Sequence, residues 1–390
     1  MAQIDGATSR FLDATRWMAA LAVVVSHASA LVIAPGSSWA DEALRYLQNC
    51  GHLAVVIFFV VSGYLVGGLE LLRAHKGRPF DPRRYAIQRF SRIYTVLLPA
   101  LAMTALFDWL GRNAFNASAL YTDPAMQRVG SLMYAIADRD DPATFIGNLL
   151  MLQTILVEPF GGNGPLWSLA NEWWYYVDFG LFLVAISSTR RPLRLATLGA
   201  ALMVLGILPL SISVWFAIWL VGVAAALLGQ RWPGLRFAAA MPIMAAGFAL
   251  ALLGMRFDPL LATLPPVLQI AGRLAIDAVA AIAFALGLLS ARNGQPRSGH
   301  LHTILASFSY TLYAVHFPAL ILLAAAAHDL LGLQFNRPLT PASLAAVAAL
   351  SLAIWVFAGA MAHVTERRTP AVRNWLMRLV SGTPKPLDLR

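Results

Sequence analysis

Long apolar runs separated by short polar segments dominate this chain. Runs of spanning length lie near residues 17–34, 52–72, 93–110, 166–187, 193–210, 212–229, 237–254, 267–290, 304–327 and 342–364. Stretches this long and this apolar read as transmembrane helices. The pattern predicts an all-α integral membrane protein: a single domain over 1–390, a bundle of about ten transmembrane helices, and a short basic tail at 365–390. The segments between the runs sort by charge. Lys and Arg concentrate in 1–16, 73–92, 188–194, 230–236, 291–303 and 365–390, while the facing loops hold only Arg45, Arg112, Arg128, Arg139, Arg256 and Arg337. Basic loops stay in the cytoplasm, so both termini are expected there. The apolar run 144–157 is too short to span and is expected to be re-entrant or partly buried on the outer side. The long outer loop that carries it, roughly 111–165, is a candidate lid or acceptor site.

Composition narrows the class. Of 390 residues, 59% are hydrophobic and 12% charged, with a mean hydropathy of +0.66, which excludes an ordinary soluble globule. A net charge of +10 raises nucleic acid as a partner. The basic residues sit in short loops between apolar runs, however, so membrane lipids are the expected partner and nucleic acid is not. The single cysteine, Cys50, excludes an intramolecular disulfide and a Cys-based zinc site, and no metal is expected. No cleavable signal peptide is expected either.

Candidate chemistry comes from the polar residues inside the runs. His27 follows Arg16 by eleven positions in the first run. At ~100° and ~1.5 Å per residue the two share one helix face, ~16 Å apart, with the imidazole about halfway through the hydrocarbon. Such a group needs a polar cavity or a partner, as a catalytic residue or as a structural hydrogen-bonder. Glu172, about two turns into the fourth run, and His316 in the ninth come to a comparable depth. Asp178 is deeper in its helix and needs a partner that the sequence does not identify. Arg273 and Asp277 are four apart and are expected to neutralise each other. Arg89 and Arg92 share a face at the mouth of the third run, in the densest basic segment. They suit either a phosphate site or an anionic-lipid anchor.

Five motifs occur in order: Leu12-Asp13-x-x-Arg16 with His27, Phe58-Phe59-x-x-Ser62-Gly63, Arg89-x-x-Arg92-Ile93, Pro165-Leu166-Trp167-Ser168-Leu169-x-x-Glu172, and Ser309-Tyr310-x-x-Tyr313-x-x-His316. Together they resemble the acyltransferase-3 family of integral-membrane acyltransferases, over about residues 12–370. Where that family often has Gly after the first Arg and Asp before the Phe pair, this chain has Trp17 and Val56. The resemblance implies transfer of an acyl group, most often acetyl, from cytoplasmic acyl-CoA to a hydroxyl of a glycan or glycoside acceptor, in the inner (plasma) membrane of a bacterium. It implies Arg89, Arg92 and Arg16 as holders of the CoA phosphates. His27 would be a general base or an acyl-carrying nucleophile, and Glu172 would orient His27 or bind the sugar. Trp167, Ser168, Tyr310, Tyr313 and His316 would line the substrate site. The rival reading is a secondary transporter or flippase using the intramembrane His and Glu as a proton relay. No internal repeat supports it.

Overall fold

The structure, a computed structural model, describes residues 5–123, 135–232, 234–294 and 299–381. Arg128, Arg297 and the tail beyond residue 381 lie outside them. In chain order the helices are α1 (Gly6–Val32), α2 (Trp39–Gly63), α3 (Leu69–His75), α4 (Pro82–Ala114), α5 (Pro142–Leu149), α6 (Trp167–Ser187), α7 (Arg191–Ile207), α8 (Leu210–Leu228), α9 (Phe237–Gly254), α10 (Asp258–Leu261), α11 (Pro266–Ser290), α12 (His300–Ala306), α13 (Ser309–Leu331), α14 (Pro341–Met361) and α15 (Thr369–Ser381). Among the described residues, eight helices are long and apolar enough to cross a membrane. The protein is therefore a multi-pass, all-helical integral membrane protein. The fourth and fifth predicted runs are also helices, α6 of 21 residues and α7 of 17, though neither is among the eight.

Several helices outrun the apolar stretch that announced them. α1 starts at Gly6, α2 at Trp39 and α4 at Pro82, because hydropathy marks only the part of a helix that sits in hydrocarbon. Their true starts follow capping chemistry. Asp5 accepts from Thr8 N at 2.8 Å, and Ser38 and Asp41 form a reciprocal capping box. Asp81, before Pro82, accepts from the N–H groups of Arg83 and Arg84. A short polar side chain at the cap and a proline in the first turn start a helix at little cost. α13 carries Pro318 inside it, which removes the N–H that Ala314 O would otherwise receive. Asn163 Nδ2 supplies that bond at 3.0 Å and also donates to Thr104 at 3.1 Å.

The apolar interior forms two main clusters. One centres on α2, α6, α8 and α11, the other on α1, α4, α13 and α14. Phe58 and Tyr310 pack against both, so they mark the seam. α2 and α8 meet backbone to backbone at their glycines: a Cβ on Gly63 would lie 1.9 Å from Trp219 O, and one on Gly222 would lie 2.0 Å from Val60 O. Just past Gly63 the helix runs through a π turn, Tyr64–Gly68, a local widening often found at functional sites.

The 144–157 run does not span. It forms α5, eight residues long and so ~12 Å, and then a loop with Met151 and Thr154 at positive φ. Trp174 Nε1 donates to Met151 O at 2.8 Å and Gln153 Nε2 to Leu166 O at 3.0 Å, so the loop is tied to the start of α6. One expectation fails. Arg273 pairs with Asp258 at 3.4 Å rather than with Asp277, whose carboxylate binds His52 at 2.7 Å. Spacing of four allows a contact on one helix, but partners on α10 and α2 offer better geometry.

The α2–α8 contact yields the first prediction. Gly63→Ala or Gly222→Ala should lower the thermal midpoint of the detergent-solubilised protein by the equivalent of about 3 kcal/mol or more, the cost of forcing an atom into a packed contact. Gly199→Ala, whose Cβ would meet nothing within 4 Å, should leave it unchanged or slightly higher. Fluorescence-detected size-exclusion after heating measures all three.

Candidate active site

A cavity of about 650 Å³ opens along the seam, a size usual for ligand sites. Its mouth carries Arg73, Arg84, Arg89, Arg92, Arg16 and Arg373. Its deeper wall is Phe58, Phe59, Ser62, Ser168, Glu172, Tyr176, Tyr310 and Tyr313. α1, α2, α3, α4, α6, α13 and α15 all contribute, so the site exists only in the assembled bundle.

The arginines differ in their partners. Arg16 Nη2 and Arg92 Nη1 both reach Glu366 Oε1, at 3.2 and 3.1 Å. The second oxygen, Glu366 Oε2, accepts from the N–H groups of Tyr310 at 3.1 Å and Thr311 at 3.2 Å. Those are first-turn amides of α13, so Glu366 caps that helix from a distant segment. The Arg92 guanidinium also lies over the Tyr310 ring, 4.5 Å from its centroid. Arg89 stands between the rings of Tyr85 and Tyr176, at 5.7 and 5.6 Å. Its Nε is buried with no hydrogen-bond acceptor. A buried guanidinium N–H without an acceptor is costly, and a phosphate oxygen is the acceptor a guanidinium fits best. Arg73 is committed to Glu70.

Farther in, Ser62 Oγ donates to Glu172 Oε1 at 2.6 Å, and Tyr176 OH donates to the same oxygen. Trp219 Nε1 fixes Ser62 from behind at 3.1 Å. Both bonds go to Oε1, so the other carboxylate oxygen is the one available to a ligand. Ser168 Oγ and Tyr313 OH are bonded at 2.6 Å.

The histidines lie one side chain behind this wall and are not among the residues lining the cavity. α1 is unbroken from Gly6 to Val32, so the shared face of Arg16 and His27 is realised, and both look towards α13. His27 stacks on His316 with centroids 5.2 Å apart and meets Phe317 edge-on at 4.9 Å. His316 is fully enclosed, and its Nδ1 lies 2.6 Å from Tyr313 O. A carbonyl can only accept, so Nδ1 carries the proton and Nε2 is a lone pair, with no hydrogen-bond partner among the described residues. The Tyr313 ring, which lines the cavity, is 5.7 Å from His316 and so stands between it and the cavity, with Phe58 edge to face on Tyr313 at 5.6 Å.

All the residues expected at the site line the cavity except His27, His316 and Trp167. Trp167 packs against Phe59 and Trp215 at 6.4 and 5.6 Å, beyond the cavity wall. Glu172 is committed to Ser62 and Tyr176. Sequence reasoning missed Glu366, Tyr176 and Arg373, and placed Ser62 in a motif without giving it a role. Glu366 left one trace, an acid in the basic stretch Thr365-Glu366-Arg367-Arg368. The predicted tail is a helix: α15 packs on α4, turns Arg373 to the cavity and exposes Trp375, Leu379 and Val380. Asp178 is buried with Oδ1 unpartnered.

The fold and site are those of a membrane-embedded protein with a deep cavity, arginines at its mouth and a carboxylate with hydroxyls on its inner wall. The chain belongs to the acyltransferase-3 family: the model of that family's acyltransferase domain matches residues 9–361. It is 26% identical over 423 residues to acyltransferase MdmB of Streptomyces mycarofaciens, covering 96% of this chain and 93% of that protein. It is also 26% identical over 215 residues to an O-acetyl transferase of Shigella phage Sf6, covering 54% and 58%. No solved structure matches. The protein is thus a membrane O-acyltransferase, and the transporter or flippase reading falls.

Glu366 provides a second prediction. Glu366→Ala removes the counter-ion of two arginines and the cap of α13, and should cost about 2–4 kcal/mol of stability. Glu366→Gln still accepts from an amide and should cost less than half of that. Thermal unfolding of the purified variants decides, and equal losses would show that the capping bonds matter little.

Proposed function

We propose that the protein transfers an acyl group, acetyl in the simplest case, from cytoplasmic acyl-CoA to a hydroxyl of a glycan or glycoside, in the inner membrane of a bacterium. The observation that carries this reading is the single cavity that joins an arginine mouth to a Ser168–Tyr313–Glu172 floor. Arg89, Arg92 and Arg16 hold the phosphates of the donor, and the pantetheine arm runs inward along the seam. The printed name of the phage relative, O-acetyl transferase, supports acetyl as the group and a hydroxyl as its acceptor.

In the transfer step the acceptor oxygen bonds to the thioester carbonyl carbon, and the carbon–sulfur bond breaks. The hydroxyl proton passes to His27 and ends on the departing thiol, so no proton is gained or lost overall. His316, with its Nε2 lone pair inward, stands against His27 to share or stabilise that proton. The Ser168–Tyr313 hydroxyl pair spends one proton on its mutual bond, and its other proton, now shared with Pro165 O, is the donor for the oxyanion. Phe58 and Tyr313 form the partition between cavity and histidines, and its opening joins donor to base. Glu172, bonded on one oxygen only, orients the acceptor.

Ten membrane passes with both termini in the cytoplasm complete the reading, α6 and α7 being the remaining two. Reporter fusions after residues 140 and 390 should report outside and inside, and the reverse would overturn the orientation.

His27→Ala should abolish transfer, a loss of about 10²–10⁴-fold, while the purified protein still inserts and binds CoA. His27→Gln keeps hydrogen bonding without taking a proton. Near-full activity in that variant would reassign His27 as structural and make His316 or Glu172 the base. Arg89→Ala and Arg92→Ala should raise the donor KM about tenfold or more with a smaller effect on kcat. An unchanged KM in both would remove the phosphate assignment.

A further inference from the structure

On the far side of Phe59 from the donor cavity lies a second polar group that the site above does not use. His52 Nε2 is 2.7 Å from Asp277 Oδ1. The carboxylate is buried, with 2% of its side chain accessible, whereas His52 keeps 41%. Its helix neighbours Gly51, Leu53, Ala54, Val55 and Val56 are all buried, so His52 is a polar opening in an apolar stretch. An ionised carboxylate can only accept, so Nε2 donates to it, and the other ring nitrogen, Nδ1, is left facing away from Asp277. Trp215 backs the imidazole edge to face at 5.3 Å.

Stability does not account for the pair. Asp277 Oδ2 is buried without a partner, and a buried carboxylate half-satisfied in a membrane bundle costs free energy that apolar residues would not. An intramembrane ionisable pair kept at that cost points to function. The surroundings say which function. Trp215 continues into Trp167 at 5.6 Å and Phe59 at 5.6 Å, and Phe59 is itself a wall of the donor cavity. The part-buried ring of Trp215 beside an oriented imidazole nitrogen is what a ring bearing hydroxyl groups needs: an apolar C–H face packs on the indole and one hydroxyl bonds to the imidazole.

We propose that His52, oriented by Asp277 and backed by Trp215, is a second acceptor-positioning site of this transferase, holding a part of the acceptor that Glu172 does not. It receives a hydroxylated ring of the acceptor one aromatic layer from the donor. This rests on the glycan or glycoside reading given above. Asp277 acts through His52, and neither residue touches the thioester.

The test uses the full-length protein in detergent with radiolabelled acetyl-CoA and a panel of p-nitrophenyl hexosides as acceptors. His52→Ala, Asp277→Asn and Trp215→Leu should each raise the KM for the accepted hexoside about tenfold. The donor KM should stay within about twofold and the thermal midpoint within about 2 °C of wild type. His52→Asn, which restores a hydrogen-bonding side chain, should recover part of the loss. If hexosides are acetylated and all three variants keep the wild-type acceptor KM, or lose activity only in step with stability, the pair is structural and this proposal is wrong. If no hexoside is acetylated while acetyl-CoA still binds, the glycoside reading itself fails.

Discussion

A polar group inside a lipid-embedded bundle must find its partner inside the bundle, and in this protein one carboxylate meets that demand for four groups at the cavity mouth. Glu366 accepts from Arg16, Arg92 and two backbone amides of α13. The arginines alone would be two like charges facing a low-dielectric interior. The helix end alone would leave orphan amides. Joined through one side chain, each satisfies the other, and α1, α4 and α13 are held in register around the cavity mouth. The mouth can then stay rich in arginine without repelling itself apart.

The two apolar clusters explain where the cavity runs. Close packing leaves no room for a large void within either one. The seam between them is where side chains of both signs can be placed without breaking a core. The glycine contact of α2 on α8 closes one flank of the seam, and the π turn after Gly63 resets the helix just beyond Ser62. Ser62 is therefore fixed by backbone geometry as well as by Trp219, and so is Glu172, which it binds.

How legible all this was in the sequence depends on the range of each interaction. The apolar runs, the non-spanning 144–157 segment and the common face of Arg16 and His27 follow from local composition and helix geometry, and the structure keeps all three. The Arg273–Asp277 pairing used the same local rule and failed, because α10 and α2 supply competitors that spacing cannot reveal. Glu366 could not be assigned, since its arginine partners stand 350 and 274 positions away. Trp167 was grouped correctly by motif, but whether it faces the cavity or the layer behind Phe59 is set by where α8 brings Trp215. Its neighbour Ser168 turns the other way, onto Tyr313.

The partition of Phe58 and Tyr313 gives these placements a common consequence. An acyltransferase must spare its thioester from water while leaving it open to a hydroxyl. Hydroxyl and water differ little in chemistry, so discrimination has to come from position and timing. His27 and His316 stand outside the cavity, with the Tyr313 ring between His316 and the space it lines. The Tyr313 carbonyl fixes the His316 tautomer at 2.6 Å, while its hydroxyl binds Ser168 on the cavity floor at 2.6 Å. One residue thus reads the floor of the donor site and sets the proton state behind it. A side chain so placed links the cavity to the histidine pair, because any ligand that displaces the Ser168 bond also acts on the residue whose carbonyl holds the His316 ring.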